Sequence, residues 1–214
     1  MIYAYKGMQP VVDPSAYVHP SATLIGHVTI GQKVYIGPGA VLRGDWGRII
    51  CEDGANVQEN CVVHMFPGAT VHLQAEAHIG HGAVVHGATV GRGCLVGMNA
   101  VLMDDVVLGA ESIVGALSFL KAQSVWPARS LIVGNPAKQV GEVSDDLYAH
   151  KQEGTALYQS LPDSIHNGDL IPCDALPQMP ANRLAHFPNF ETWQARRSRL
   201  ERERAQESNP NKGH

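Results

Sequence analysis

The chain has 214 residues, a formal net charge of −4, 17% charged residues, 22 glycines and 13 prolines. That length holds one sizeable domain with an appendage or two small ones. Low charge with many glycines favours a regular β architecture with tight corners over a helical bundle, and the balance of charge carries no nucleic-acid signal.

The four cysteines, Cys51, Cys61, Cys94 and Cys173, form no C-x-x-C pair and no dense framework, so they read as reduced thiols. Residues 1–8 contain no apolar run of signal-peptide length. No window approaches the roughly 20 apolar residues of a membrane span. The expectation is a cytoplasmic protein without a membrane or nucleic-acid partner.

From the N-terminus, aliphatic residues recur every six positions: Val12, Val18, Leu24, Ile30, Ile36 and Leu42. Two residues before the later stops sit Ala16, Ala22, Val28, Val34 and Ala40. Glycine follows at or near the corner at Gly26, Gly31, Gly37 and Gly44. The same phase returns at Val90, Val96, Leu102, Leu108 and Val114, preceded by Ala88, Cys94, Ala100, Val106 and Ser112. So many stops in one register disfavour an ordinary sandwich of alternating strands. The hexads predict a mainly β fold, a parallel β-helix in which three units close a triangular coil of roughly 18 residues and the coils stack by backbone hydrogen bonds.

The register breaks between Leu42 and Val57 and again between Val63 and Ile79, with a short step from Val85 to Val90. Segment 65–77 is the candidate extruded loop, and such loops tend to carry function. The predicted β-helix spans 1–140. A helix capped by Ser144, with Asp145 and Asp146 at its positive end, is expected within 141–161. Its apolar face of Leu147, Leu157, Tyr158 and Leu161 would pack on the prism. Residues 162–205 read as an extended, surface-hugging extension with Phe187 and Phe190 as anchors. It would end in a helix near 190–204 with Arg197–Glu201 and Arg199–Glu203 pairs. Residues 206–214 read as a disordered tail.

The candidate chemistry lies between the breaks. His64 and His86 each follow an inward aliphatic residue, Val63 and Val85, so they share a phase and point outward. His81 lies two after Ile79, one position off that phase. Flanked by G-H-G and H-G, the three favour a metal over surface positions. Zinc takes neutral imidazole, and a catalytic site keeps three protein ligands and one open position. A site between adjacent chains would let the three converge. The other histidines, including His72 and His78, read as exposed. Arg43 and Asp45 project outward, as a surface ion pair or as a pair orienting a ligand at a subunit boundary. Asn56 and Gln58 offer amides that do not titrate.

R-G-D at 43–45, N-V-Q-E-N-C-V-V-H at 56–64 and I-G-H-G-A-V-V-H-G at 79–87 occur in that order. They resemble the γ-class carbonic anhydrase family of hexapeptide-repeat proteins over roughly residues 8–160. The resemblance implies a left-handed coil, a homotrimer and one zinc, with iron or cobalt as alternatives, at each subunit boundary. It carries His64, His81 and His86 onto the metal, with His81 from the neighbouring chain. It makes Arg43 and Asp45 an interface pair, Gln58 the residue that orients water, and Asn56 a polar residue nearby.

G-R-I after R-G-D, the F-P turn after His64, V-G-M-N-A-V-L-M-D at 96–104 and the extension beyond 160 are similar to the PaaY and CaiE branch of that family, found in phenylacetate and carnitine operons. That branch implies a zinc-dependent hydrolase whose metal-bound hydroxide attacks a coenzyme A thioester in aromatic catabolism. Trp46 replaces an acidic residue, Glu59 stands where many members have Asp, and Glu76 is the loop's only carboxylate, which weighs against fast CO2 hydration. The alternatives are a γ-type carbonic anhydrase acting on CO2 and bicarbonate, a hexapeptide acyltransferase sharing G-N-P-A-K at 134–138, and a trimeric scaffold without catalysis.

Overall fold

A computed structural model describes residues 1–181 and 187–207. The chain divides into two compact units, Met1–Pro172 and Cys173–His214. Unit one is the parallel β-solenoid that the hexads predict, with about seven turns.

Its rungs stack in register on three faces. The first carries Val62–His64, Val84–His86, Val101–Leu102 and Phe119–Leu120. The second carries Thr70–Leu73, Thr89–Val90, Val107–Leu108 and Val125–Trp126. Long strands Thr23–Ile30 and Val41–Cys51 run through the corner and serve both faces. The third face runs from Tyr17–Val18 through Tyr35–Ile36, Asn56–Val57, His78–Ile79, Leu95–Val96 and Ile113–Val114 to Ser130–Val133. Lys138–Glu142 closes it as an antiparallel strand.

The core is the inward row of hexad aliphatics. Leu24, Ile36, Leu42, Val63, Ile79, Val85, Val96, Leu102 and Leu120 are all fully buried, each worth about 1.5–3 kcal/mol of transfer free energy. The corners hold the small residues placed there by the repeat: Ala22, Ala40, Cys61, Ala83, Ala88, Cys94, Ala100 and Ser112 are likewise enclosed. Cys51, Cys61 and Cys94 are buried free thiols, and Cys173 is free and exposed. Burial pushes the Cys61 and Cys94 thiols up to about 11.

Two of the corner glycines serve close packing rather than an unusual dihedral. At Gly37 a Cβ would lie 2.9 Å from Glu59 N, and at Gly31 it would lie 2.5 Å from the Asp53 carboxylate. Both are needed for close approach between coils. Left-handed corners fall on glycine at positions such as Gly26, Gly39 and Gly82, but between 99 and 129 they fall on other residues, every six along the chain: Asn99 (φ 54°), Asp105 (58°), Glu111 (63°), Leu117 (61°), Gln123 (63°) and Arg129 (59°). Leu117 is 70% exposed there, so its side chain gains little packing while its backbone carries a penalty of about 1 kcal/mol. Leu117→Asn, which tolerates this conformation, should raise stability by ~0.5–1 kcal/mol, read as an upward shift of the urea midpoint.

The first break in the repeat is an excursion at 44–48 inside Val41–Cys51, marked by a register shift opposite Gly26 and Val28. The second is much smaller than the predicted loop 65–77. Met65 is fully buried, and Val71 and Leu73 of Thr70–Leu73 point into the core. Only the turn at 66–69 leaves the coil, because strand alternation resumes at Thr70. The two excursions touch: Gly68 N donates to Trp46 O at 2.8 Å.

Helix α1 (Asp145–His166) starts at Ser144, whose side chain accepts from Leu147 N. It runs beyond the predicted end at 161, with Pro162 buried inside it. The predicted apolar stripe is only half-buried, and the enclosed residues are Lys151, Thr155 and Pro162. The reason lies underneath. The third face presents Tyr35, Asn56 and His78, so α1 answers with polar and aromatic groups. Tyr158 meets the rings of Tyr35 and His78 at 5.8 and 5.0 Å.

Lys151 Nζ donates to Glu76 O at 3.0 Å, and burial pulls its pKa down to about 8. Between that value and the ordinary 10.5, the unfolded chain holds a proton that the native chain has released, so stability rises with pH across this window. Relative to Lys151→Met, wild type should gain on the order of 2–3 kcal/mol from pH 8 to pH 10.5, measured by urea unfolding of both proteins at a series of pH values.

In unit two, α2 (Trp193–Glu207) buries no residue. Arg197 Nε donates to Glu201 at 2.8 Å and Arg199 Nη1 to Glu203 at 3.2 Å. Phe187, expected as an anchor, is 85% exposed. Of the predicted tail, residues 206 and 207 end α2, and 208–214 lie outside the described residues, as do 182–186 of the extension. Among the described residues no helix is long and apolar enough to cross a membrane.

Candidate metal centre

Val63 and Val85 fill the core, so the next residue on each strand must face out. His64 and His86 are therefore register partners on adjacent rungs, with ring centroids 5.4 Å apart. His86 Nδ1 lies 2.6 Å from Asp104 Oδ1, one coil further on. His64 Nε2 lies 3.2 Å from Asp45 Oδ1. Arg43 donates to Asp45 Oδ2 through Nε at 3.3 Å and Nη2 at 3.2 Å.

The excursions supply two aromatic walls. Trp46 sits 5.1 Å from the His64 ring and Phe66 5.2 Å, edge-on, from the His86 ring. Burial, reinforced by Arg43, lowers the His64 pKa against the pull of Asp45, which favours neutral imidazole. Burial opposes ionisation of Asp45, but the Arg43 charge and hydrogen bonds from Arg43, His64 and its own backbone hold the carboxyl below its ordinary value.

The remaining candidates gather at the edge of the third face. His81 Nδ1 lies 2.5 Å from Glu59 Oε2, and Glu59 Oε1 accepts from the Tyr35 hydroxyl at 3.0 Å. Gln58 Nε2 donates to Asn56 Oδ1 at 3.0 Å and meets His78 Nε2. Asn56 and Gln58 are 1% and 2% exposed. Burial raises the Tyr35 phenol, with Glu59 adding to it. His78, expected to be exposed, is enclosed beneath α1, and its pKa is driven to about 3 by burial, then by Lys151 and His81.

One chain thus brings together Arg43, Asp45, His64 and His86, and separately Asn56, Gln58 and His81. Among the described residues no three His, Cys, Asp or Glu side chains group to hold a metal. The donor chemistry nonetheless fits zinc. A carboxylate on Nδ1 of His86, and another on Nδ1 of His81, leaves each Nε2 lone pair available for a ligand bond, the arrangement metal-binding histidines commonly adopt. Neither Asp104 nor Glu59 carries a sequence motif that marks it as a histidine partner. The coil period could have found Asp104, which follows His86 by one turn.

The fold and these histidines define a hexapeptide-repeat β-solenoid protein. Residues 87–122 match the family described as bacterial transferase hexapeptide (six repeats). The chain belongs to the family of the carnitine operon protein CaiE. It is 49% identical to CaiE of Proteus sp. (strain LE138) over 182 residues, 85% of this chain and 92% of that protein. CaiE of Escherichia coli O157:H7 is 49% identical over 181 residues, with the same coverage of 85% and 92%.

Among solved structures, a hexapeptide transferase family protein from Anaplasma phagocytophilum is 31% identical with a TM-score of 0.74, covering 77% of this chain and 97% of its own. A Bacillus cereus protein provisionally named an acetyltransferase is 27% identical with a TM-score of 0.77, covering 78% and 97%.

Proposed function

We propose that the chain is a metal-dependent hydrolase of acyl-coenzyme A thioesters, including those of aromatic acids, working as a homotrimer. The observation that carries this reading is the pair of Nδ1-anchored imidazoles, His81 on Glu59 and His86 on Asp104. His64 and His86 of one chain, with His81 of a neighbouring copy, would hold a divalent cation: zinc, with iron or cobalt as alternatives. When bound, the cation supplies Lewis acidity, polarising a carbonyl and letting water ionise near neutral pH.

The protein's own groups do the rest. Asp45 Oδ1 accepts a hydrogen bond from His64 Nε2 and so orients that ring, and Arg43 keeps the carboxyl ionised. Trp46 and Phe66 flank the His64 and His86 rings with apolar surface. Gln58 orients the attacking water, and Asn56 offers an N–H to the thioester oxygen.

Beside Asp45 and Trp46 lies a cavity of about 400 Å³ that also takes in Lys6, His27 and Arg48. The Lys6 and Arg48 charges suit the phosphates of a coenzyme A carrier. Coenzyme A leaves as a thiolate and needs little acid assistance. CO2 hydration, which must export a proton, finds less support here: Glu76 sits in the turn before His78–Ile79 and accepts from Gln152 of α1 at 3.3 Å.

Acyl transfer is the second reading, favoured by the transferase names of the structural neighbours. The test is a screen of aryl and aliphatic acyl-coenzyme A esters with zinc-loaded protein, followed by thiol release. Hydrolysis lost on chelation and restored by metal is the expected result. Transfer to an amine or alcohol that survives full metal removal would establish the second reading. Bicarbonate formation without thiol release would establish carbonic anhydrase activity.

A further inference from the structure

Both amide hydrogens of Gln58 are used inside the chain. Nε2 donates to Asn56 Oδ1 at 3.0 Å and to His78 Nε2 at 2.5 Å. For His78 Nε2 to accept, the neutral ring must carry its proton on Nδ1. That nitrogen lies 3.4 Å from Thr155 Oγ1 of α1, and the Tyr158 ring packs against His78 at 81°. The consequence falls on the other ends of the amides. Gln58 Oε1 is left as an acceptor. Asn56 has spent its oxygen, and its Nδ2 is buried without a protein partner. A buried N–H in that state is costly unless a ligand or water takes it.

We infer that His78 is a positioning residue: its Nδ1–H tautomer, steadied by Thr155, fixes which way the Asn56–Gln58 pair faces, so that Gln58 presents an acceptor and Asn56 a donor. With the proton on Nε2 instead, Gln58 would have to turn its oxygen inward and Asn56 would have to follow. The pair would then offer an N–H where the attacking water's proton needs an acceptor, and an oxygen where developing negative charge needs a donor. Helix α1, far along the chain from the histidines, thereby acts on the chemistry through Thr155. The catalytic part of this inference rests on the hydrolytic reading above, whereas the tautomer does not.

The experiment has two arms. In the first, wild-type protein carrying ¹⁵N-histidine is examined by long-range ¹H–¹⁵N correlation, with the His78 signals assigned by their loss in His78→Phe. The expected spectrum is a neutral Nδ1–H ring that does not change across neutral pH. An Nε2–H ring or an imidazolium overturns the inference.

In the second arm, thiol release from phenylacetyl-coenzyme A is measured for His78→Phe and Thr155→Val, with zinc content determined on the same samples. kcat should fall about 10- to 100-fold in His78→Phe and several-fold in Thr155→Val, with KM and zinc content unchanged. Unaltered kcat in a folded His78→Phe overturns the positioning role, and so does a fall that merely tracks lost zinc. If wild type hydrolyses no thioester, the hydrolytic reading fails, and the spectrum alone decides whether His78 orients the amide pair.

Discussion

Replacing His86 with alanine is expected to lower thioester hydrolysis by about 10³-fold or more and to abolish stoichiometric metal binding. The magnitude follows from losing several kcal/mol of Lewis-acid stabilisation at about 1.4 kcal/mol per tenfold in rate. The fold should be unaffected, because the side chain is outside the core while Val85 beside it is fully buried. Asp104→Asn is the milder companion. It keeps the shape but removes the charge on His86 Nδ1, 2.6 Å away, and should cost roughly 10- to 100-fold in metal affinity or activity. Metal analysis and steady-state thiol release check both variants. Full activity in a metal-free His86→Ala protein would refute the proposed centre.

Leu102→Ala carries the largest expected effect on stability. Leu102 is fully buried and sits in register between Val85 and Leu120 on the first face. The coil around it is pinned by backbone ladders above and below, so it cannot collapse into the space left behind. Leu-to-Ala changes of this kind cost about 2–5 kcal/mol, at ~2–4 °C of melting temperature per kcal/mol for a chain of this size. The control lies in the same coil. Val107 is 38% exposed and points away from the core beside the buried Leu108, and Val107→Ala should shift stability by only ~0.5 kcal/mol. Thermal melts of the two variants should therefore separate clearly. Equal shifts would mean that the hexad phase does not define the interior.

That phase was legible in the residues because a β-solenoid is nearly one-dimensional. Each rung contacts its neighbours one coil away, so a six-residue period records which side chains are inside. Val63 and Val85 mark the core positions, and His64 and His86 follow as outward neighbours one register step apart. The same logic read backwards explains the misjudged loop. Met65 broke the hexad count and drew Val71 and Leu73 into a predicted excursion, although their alternation already fitted a strand. The end of α1 was misplaced because proline usually stops a helix, whereas here Pro162 is buried within it.

The sequence by itself determined the solenoid, its inward row and the outward phase shared by His64 and His86, since these depend on local period alone. Only the tertiary structure decided which partners each imidazole keeps. Asp104 reaches His86 across one coil, Glu59 reaches His81 from the rung before it, and Thr155 reaches His78 from a helix folded back over the third face. Such contacts join residues distant along the chain through side-chain geometry: the coil period can place Asp104 beside His86, but it cannot place Thr155 of α1 against His78. His81 is the opposite case, because the repeat itself already sets it one position out of phase with His64 and His86, and it leaves the prism at a corner.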